Sequence, residues 1–143
     1  SAKIIDDQRK NTASQNQNII SAMHEIKQGA NDMKRVLLKG DIPSMAHLLK
    51  TAWENKKKQS SQVTNSVIEQ AMEVALKEGA LAGKVSGAGG GGFIMFIVDP
   101  IKKKTVEKAL AGLDGFIMPF SFTDGGAHGW RIYPTDDIKE CRL

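Results

Sequence analysis

Apolar positions in the first half of the chain recur at steps of three and four. Ile19, Met23, Ile26, Ala30, Met33 and Leu37 form the stripe of an amphipathic helix. Gly40 predicts its end, since glycine favours the left-handed position past a last turn. Asp41 then predicts a cap, with Pro43 in the first turn of a second helix. That helix turns Met45, Leu49, Ala52 and Trp53 inward and ends near Lys58. A polar break at 59–62 follows, and Ser66 with Glu69 has the spacing of a capping box. The third helix presents Val67, Ala71, Val74 and Ala75, and Gly79 stops it.

The period changes after Gly79. Residues 84–86 predict a short strand, and residues 93–98 are apolar on both faces, as in a central strand. Asp99 and Pro100 start a helix with Val106, Ala109, Leu110 and Leu113 on one face. Residues 116–122 and 127–133 read as two strands around the turn 123–126, with Pro119 placing the first at an edge or bulge. Residues 134–143 are polar, either a loose tail or a final short helix. Helices first, then strands around one helix, predict an α+β fold: a small, mainly antiparallel sheet with helices packed on one face.

The 143 residues fit one domain with a core of its own. A net charge of +4 suits anionic ligands without requiring nucleic acid. Aromatic residues are only 6% of the chain and sit among aliphatic ones, which argues against a sheet that stacks RNA bases. Cys141 is the single cysteine, so no intrachain disulfide forms and a reducing cytoplasm is expected. Neither a membrane-spanning run nor a signal segment is expected. The chain opens on Ser1 without an initiator methionine, which suggests an excised domain or a processed product.

Between the expected strands lies Ser86-Gly87-Ala88-Gly89-Gly90-Gly91-Gly92-Phe93. Consecutive glycines expose backbone amides and take positive φ, a cradle for phosphate or another anion. A tight helix-to-strand turn is the plainer alternative. The loop is not a Walker A motif, because no Gly-Lys-Ser/Thr follows, and not a Rossmann turn, because it leads into a strand. Trp53 with Lys56, Lys57 and Lys58 offers a second anion contact, or simply a core tryptophan beside a solvated helix end. His24, His47 and His128 lack metal-ligand spacing, so no metal site is expected. The adjacent pairs Asp6–Asp7 and Asp136–Asp137 do not make a carboxylate dyad.

Lys84-Val85-Ser86-Gly87-Ala88-Gly89 and the glycines after it resemble the third motif of the galactokinase, homoserine kinase, mevalonate kinase and phosphomevalonate kinase (GHMP) superfamily, with Ser86 in place of threonine. Residues 52–57 and 79–84 are similar to the bacterial branch that acts on D-glycero-D-manno-heptose 7-phosphate. The resemblance implies the ferredoxin-like C-terminal domain of such a kinase over residues 1–143, without the N-terminal ATP-binding domain. The family's P-x-x-x-G-L-x-S-S-A loop and sugar-binding motif are not in this chain. It further implies phosphoryl transfer from ATP, with Mg²⁺ supplied through that other domain, to a sugar or sugar-phosphate hydroxyl. Heptose 7-phosphate is the first choice and a galactose-like sugar the next.

On this basis the phosphate-binding or substrate-binding loop is Ser86, Gly87, Ala88, Gly89, Gly90, Gly91 and Gly92, with Lys84, Trp53 and Lys57 as further substrate contacts. No catalytic residue is assigned. The expected partners are the substrate and the N-terminal kinase domain. Neither nucleic acid nor a membrane is expected, and the isolated chain, inactive by itself, could dimerise through the apolar face left bare. The competing account is a stand-alone α+β module that binds an anionic metabolite without catalysis.

Overall fold

The computed structural model describes residues 2–14 and 16–130. Among the described residues, five α-helices, one 3₁₀ turn and two strands occur in the order α1 (Ala2–Ala13), α2 (Gln17–Lys39), α3 (Ile42–Gln59), the 3₁₀ turn (Ser61–Val63), α4 (Ser66–Lys77), β1 (Ala80–Val85), β2 (Ile94–Val98) and α5 (Lys103–Leu110). The α+β class holds. Residues 131–143, with Asp136, Asp137, Cys141 and the whole polar tail 134–143, lie outside the described residues, as does the end of the strand expected at 127–133.

The helix boundaries follow local chemistry. Asn16 opens α2 by accepting the Asn18 amide at 3.0 Å, which satisfies one of the orphan donors of a first turn. Gly40 closes α2 at φ +68°, and Asp41 caps α3 through the Ser44 amide at 3.1 Å. Hydrogen bonding from the Ser44 side chain, and then from the Ser44 amide, holds the Asp41 carboxyl below its ordinary pKa. The next cap differs from expectation. Asn65, not Ser66, opens α4 by accepting the Ile68 amide at 3.0 Å. Glu69 therefore falls one position too late for a capping box and accepts from the Thr64 hydroxyl at 2.6 Å instead.

The buried helical faces are rotated from those expected. The inward stripe of α2 carries Ile19 and Ala22 fully buried, with Ile26, Gly29, Met33 and Val36 half-buried, while Met23 and Leu37 are exposed. Ala22 is buried and Gly29 half-buried although neither carries much hydrophobic signal, so the buried line runs one position before Met23, Ala30 and Leu37. In α3, Leu49 and Trp53 are buried as expected, Met45 and Ala52 are half-buried, and Ala46 and Asn55 are buried besides. In α4 the buried line is Ile68, Met72 and Ala75, and Val67 is exposed.

The strands form an antiparallel pair with Val85 opposite Ile94 and Gly83 opposite Phe96. β1 begins at Ala80, four residues before the expected start at Lys84. Ala80, Ala82 and Gly83 are weak strand formers by composition, but they are buried where α3 and α4 press on the strand. A Cβ at Gly83 would lie 2.6 Å from both Met72 Sδ and the Phe96 ring. An irregularity between Ala80 and Ala82 shifts the register, so Leu81 turns outward and Ala80 joins Ala75 and Val106 in a cluster.

Among the described residues β2 pairs only with β1, where a central position between two partners was expected. Residues 116–122 and 127–130 form no strand and are exposed throughout. They find no ladder partner here, and alternation alone cannot hold an extended chain in a sheet. Phe116 does touch Phe93 edge to face at 6.1 Å. The helix expected from Asp99 starts later, at Lys103: Asp99 instead closes a turn, its carboxylate accepting the Ile101 amide at 2.8 Å. Val106 is buried on α5, with Ala109, Leu110 and Leu113 half-buried beside it.

The main core joins Ile4, Trp53, Val63, Ile68, Met72 and Val85. It gathers α1, α3, the 3₁₀ turn, α4 and β1 beneath the loop between the strands. No expectation covered α1. Ile4 is its one buried residue, and its docking is otherwise polar: the Ser60 hydroxyl donates to Asp7 and Asn11 Nδ2 donates to the Gln59 carbonyl at 2.9 Å.

Candidate functional site

Residues 86–93 connect β1 to β2. The Ser86 amide donates to the Phe93 carbonyl at 2.8 Å, which closes the base of the loop. The loop then leans onto the 3₁₀ turn. The Gly90 amide donates to the Val63 carbonyl at 2.7 Å, and Asn65 Nδ2 donates to the Gly90 carbonyl at 3.2 Å. Asn65 thus caps α4 and holds the loop with one side chain. Ala88 packs against the main core.

Glycine is required at the seat. A Cβ on Gly89, at φ +108°, would lie 2.6 Å from the Val63 carbonyl oxygen. One on Gly90, at φ +74°, would lie 2.6 Å from Ile4 Cδ1 and 3.0 Å from the Gln62 carbonyl oxygen. Gly87, Gly91 and Gly92 face open space, with nothing within 4 Å of a Cβ position. Among the described residues, the amides of Gly87, Ala88, Gly89, Gly91 and Gly92 have no acceptor in the loop or its surroundings. The Gly90 amide is the one already engaged.

Lys84 is half-buried on β1 and Ser86 is exposed at its end, while Val85 between them is fully buried. This is the alternation that puts Lys84 and Ser86 on a common side. Lys56, from the last turns of α3, donates to the Gly87 carbonyl. Burial, and then the neighbouring charge of Lys84, hold the Lys56 ammonium below its ordinary pKa.

Trp53 and Lys57 are placed elsewhere. Trp53 is 4% exposed inside the core. Lys57 lies 3.1 Å from Glu54 Oε1 and 3.6 Å from Glu69 Oε1, with its ammonium 5.9 Å from the Trp53 ring centre. Both line a cleft of about 300 Å³ between α3 and α4 that also carries Lys50, Glu54, Glu69 and Glu73 and contains no residue of 86–93. Lys58 donates to buried Asn55 at 2.9 Å. Of the residues singled out in the sequence, the fold therefore gathers Lys84 and 86–92 in one place, and Trp53 and Lys57 in another. The residues that seat the loop were not among them: Ile4, Val63 and Asn65. Asn65 carries a readable signal as a capping residue, whereas Ile4 and Val63 become loop contacts only through tertiary packing.

His24, His47 and His128 are exposed and far apart in sequence. Among the described residues no three His, Cys, Asp or Glu side chains gather to hold a metal ion, and no helix is long and apolar enough to cross a membrane.

Residues 33–113 match the family described as GHMP kinases, C terminal. The chain belongs to that family. It is 41% identical over 131 residues to the D-glycero-alpha-D-manno-heptose 7-phosphate kinase of Campylobacter jejuni, which covers 92% of this chain and 38% of that protein. The chain thus spans well under half the length of the curated relative it matches. A crystal structure of a candidate sugar kinase from Campylobacter jejuni superposes with a TM-score of 0.58 at 41% identity, over 79% of this chain and 33% of that one. The structure of the mevalonate kinase of L. major, solved with R-mevalonate, superposes with a TM-score of 0.70 at 20% identity, over 78% of this chain and 34% of that one. At that identity the likeness speaks for the fold alone.

Proposed function

We propose that this chain is the C-terminal domain, residues 1–143, of an ATP-dependent sugar-phosphate kinase, and that heptose 7-phosphate is its substrate. The observation that carries this reading is the 41% identity to a heptose 7-phosphate kinase across 92% of the chain. The loop geometry supports it, because amides without an acceptor beside Lys56 and Lys84 suit phosphate chemistry.

In this reading the γ-phosphoryl group of ATP moves to a sugar hydroxyl. The bond to the β-phosphate oxygen breaks as the bond to the sugar oxygen forms, ADP leaves, and the hydroxyl proton is released. Catalysis of this kind rests on positioning and on stabilising charge over the phosphoryl oxygens. This chain contributes donors: the amides of Gly87, Ala88, Gly89, Gly91 and Gly92, the Ser86 hydroxyl and the Lys84 ammonium. The described residues fit a phosphate group but offer no carboxylate set for Mg²⁺. The second domain of the kinase supplies the nucleotide site and the ion's ligands. Exposed Phe93, Met95, Phe116 and Phe120 give that domain an apolar face to cover. Such a reaction belongs in the cytoplasm, where ATP is abundant.

The test is ADP release by the longer polypeptide that contains this chain. Turnover that depends on heptose 7-phosphate, and is absent with the 143-residue chain alone, is the expected result. Turnover only with an unphosphorylated hexose would move the substrate to the galactose-like choice. Saturable sugar-phosphate binding without turnover by either polypeptide would make the chain a binding module.

A further inference from the structure

The three lysines that end α3 have three different fates. Successive helical residues are turned by about 100°, so Lys56, Lys57 and Lys58 point to different neighbours. Lys57 is neutralised by Glu54 and Glu69. Lys58 donates to Asn55, whose own amide donates to Glu25 at 2.6 Å. Lys56 meets only a neutral carbonyl, that of Gly87. Lys84 stands near it, and among the described residues neither of the two has a carboxylate within ion-pair distance.

We propose that Lys56, Lys84 and the open amides of Gly87, Ala88 and Gly89 form a subsite for the phosphate monoester of the sugar substrate. The source of the phosphate rests on the kinase reading above; the subsite itself rests on this geometry. Two neighbouring ammonium groups, one of them desolvated, repel each other, and an anion placed between them removes that cost. Gly87 and Gly89 both have positive φ, and successive amides around such residues make an anion-binding concavity. A phosphate monoester fits the set. It carries nearly two negative charges and three acceptor oxygens, enough for two ammonium groups and the amides together. A metal-bound nucleotide phosphate fits less well, because it would bring its cation against Lys56 and Lys84.

The first test is titration of the 143-residue chain with inorganic phosphate, followed through its ¹⁵N-amide NMR signals. The amides of Gly87, Ala88 and Gly89 should shift and saturate. Lys56→Gln and Lys84→Gln should each weaken binding by about tenfold, the scale of one charge-assisted hydrogen bond. Lys56→Arg should recover most of it, and Lys103→Gln, whose lysine pairs with Glu107 on α5, should match the parent chain. Unchanged Ile4 and Val63 amide signals certify that the loop is still seated in each variant. Phosphate that leaves 87–89 unshifted, or binds Lys56→Gln and the parent equally, overturns the subsite.

The second test separates the sources of phosphate. In the longer polypeptide, Lys56→Gln should raise KM for heptose 7-phosphate by about tenfold and leave KM for ATP in place. A rise confined to ATP overturns the assignment to the sugar phosphate. If the unaltered longer polypeptide turns over no ATP, the kinase reading fails, and the phosphate titration alone decides the subsite.

Discussion

The two halves of the glycine loop are alike in sequence and opposite in structure. Gly89 and Gly90 are pressed against Val63 and Ile4, and the Gly90 amide and carbonyl are both spent on the fold. Gly87, Gly91 and Gly92 have open space at the Cβ position, and their amides are unengaged. A run of glycine therefore serves two needs: close approach of backbone to backbone in its middle, and exposure of donors at its ends. Stability should follow the contacts of Gly89 and Gly90, and ligand binding the unengaged amides, that of Gly89 among them.

Gly89→Ala is the sharpest way to break that division. It combines a clash with the Val63 backbone and a positive φ, so we expect a loss of about 3 kcal/mol or more in urea unfolding. A variant as stable as the parent would show that the loop is not seated on the 3₁₀ turn. Ile4→Ala comes next. It removes a buried side chain under Gly90, and about 2–3 kcal/mol is expected, at the lower end for a core deletion because α1 is short and peripheral. Hydrogen exchange at the Gly90 amide should quicken along with it. Gly87→Ala has space for its methyl group, and only the left-handed backbone opposes it, at about 1–2 kcal/mol. Its effect on phosphate binding should exceed its effect on the seated half, read as unchanged Val63 and Gly90 amide signals.

The smallest effect lies away from the loop. Asp41→Asn keeps an acceptor for the Ser44 amide and removes the charge. Because the folded carboxyl has a lowered pKa, its contribution is present above the unfolded value, near that of an ordinary aspartate, and is lost as pH falls through the folded one. The melting temperatures of parent and variant should therefore differ slightly at neutral pH and converge in acid. A gap that widens in acid would reverse the sign.

How much of this the sequence shows depends on the side chains involved. Gly40 and Asp41 act within a few residues of themselves, so the junction of α2 and α3 is legible. Ile19, Ile26 and Met33 were on the right face of α2. Met23, Ala30 and Leu37 were not: the buried line runs one position earlier, through Ala22, Gly29 and Val36, and the first two carry little hydrophobic signal. The same blindness hid the first four residues of β1, where Ala80, Ala82 and Gly83 are buried by helices distant in sequence. The strands expected at 116–122 and 127–133 followed alternation, yet a strand needs a partner, and the described part of these segments has none. At the site, the glycine run and Lys84 were legible as chemistry. That Lys56 reaches Gly87 while Lys57 turns to two glutamates depends on the angle at which α3 meets the sheet, which no spacing encodes.

The hydrogen bonds that hold Gly90 also change the loop as a polymer. An unattached run from Ser86 to Phe93 would sample a wide range of shapes, because glycine has more backbone freedom to lose than any other residue. Pinned at its midpoint, it becomes two short arcs, residues 87–89 and 91–92, each fixed at both ends. Much of the ordering entropy is then met when the chain folds. A ligand arriving at one arc has only a few torsions left to freeze, so more of its contact energy is available as affinity.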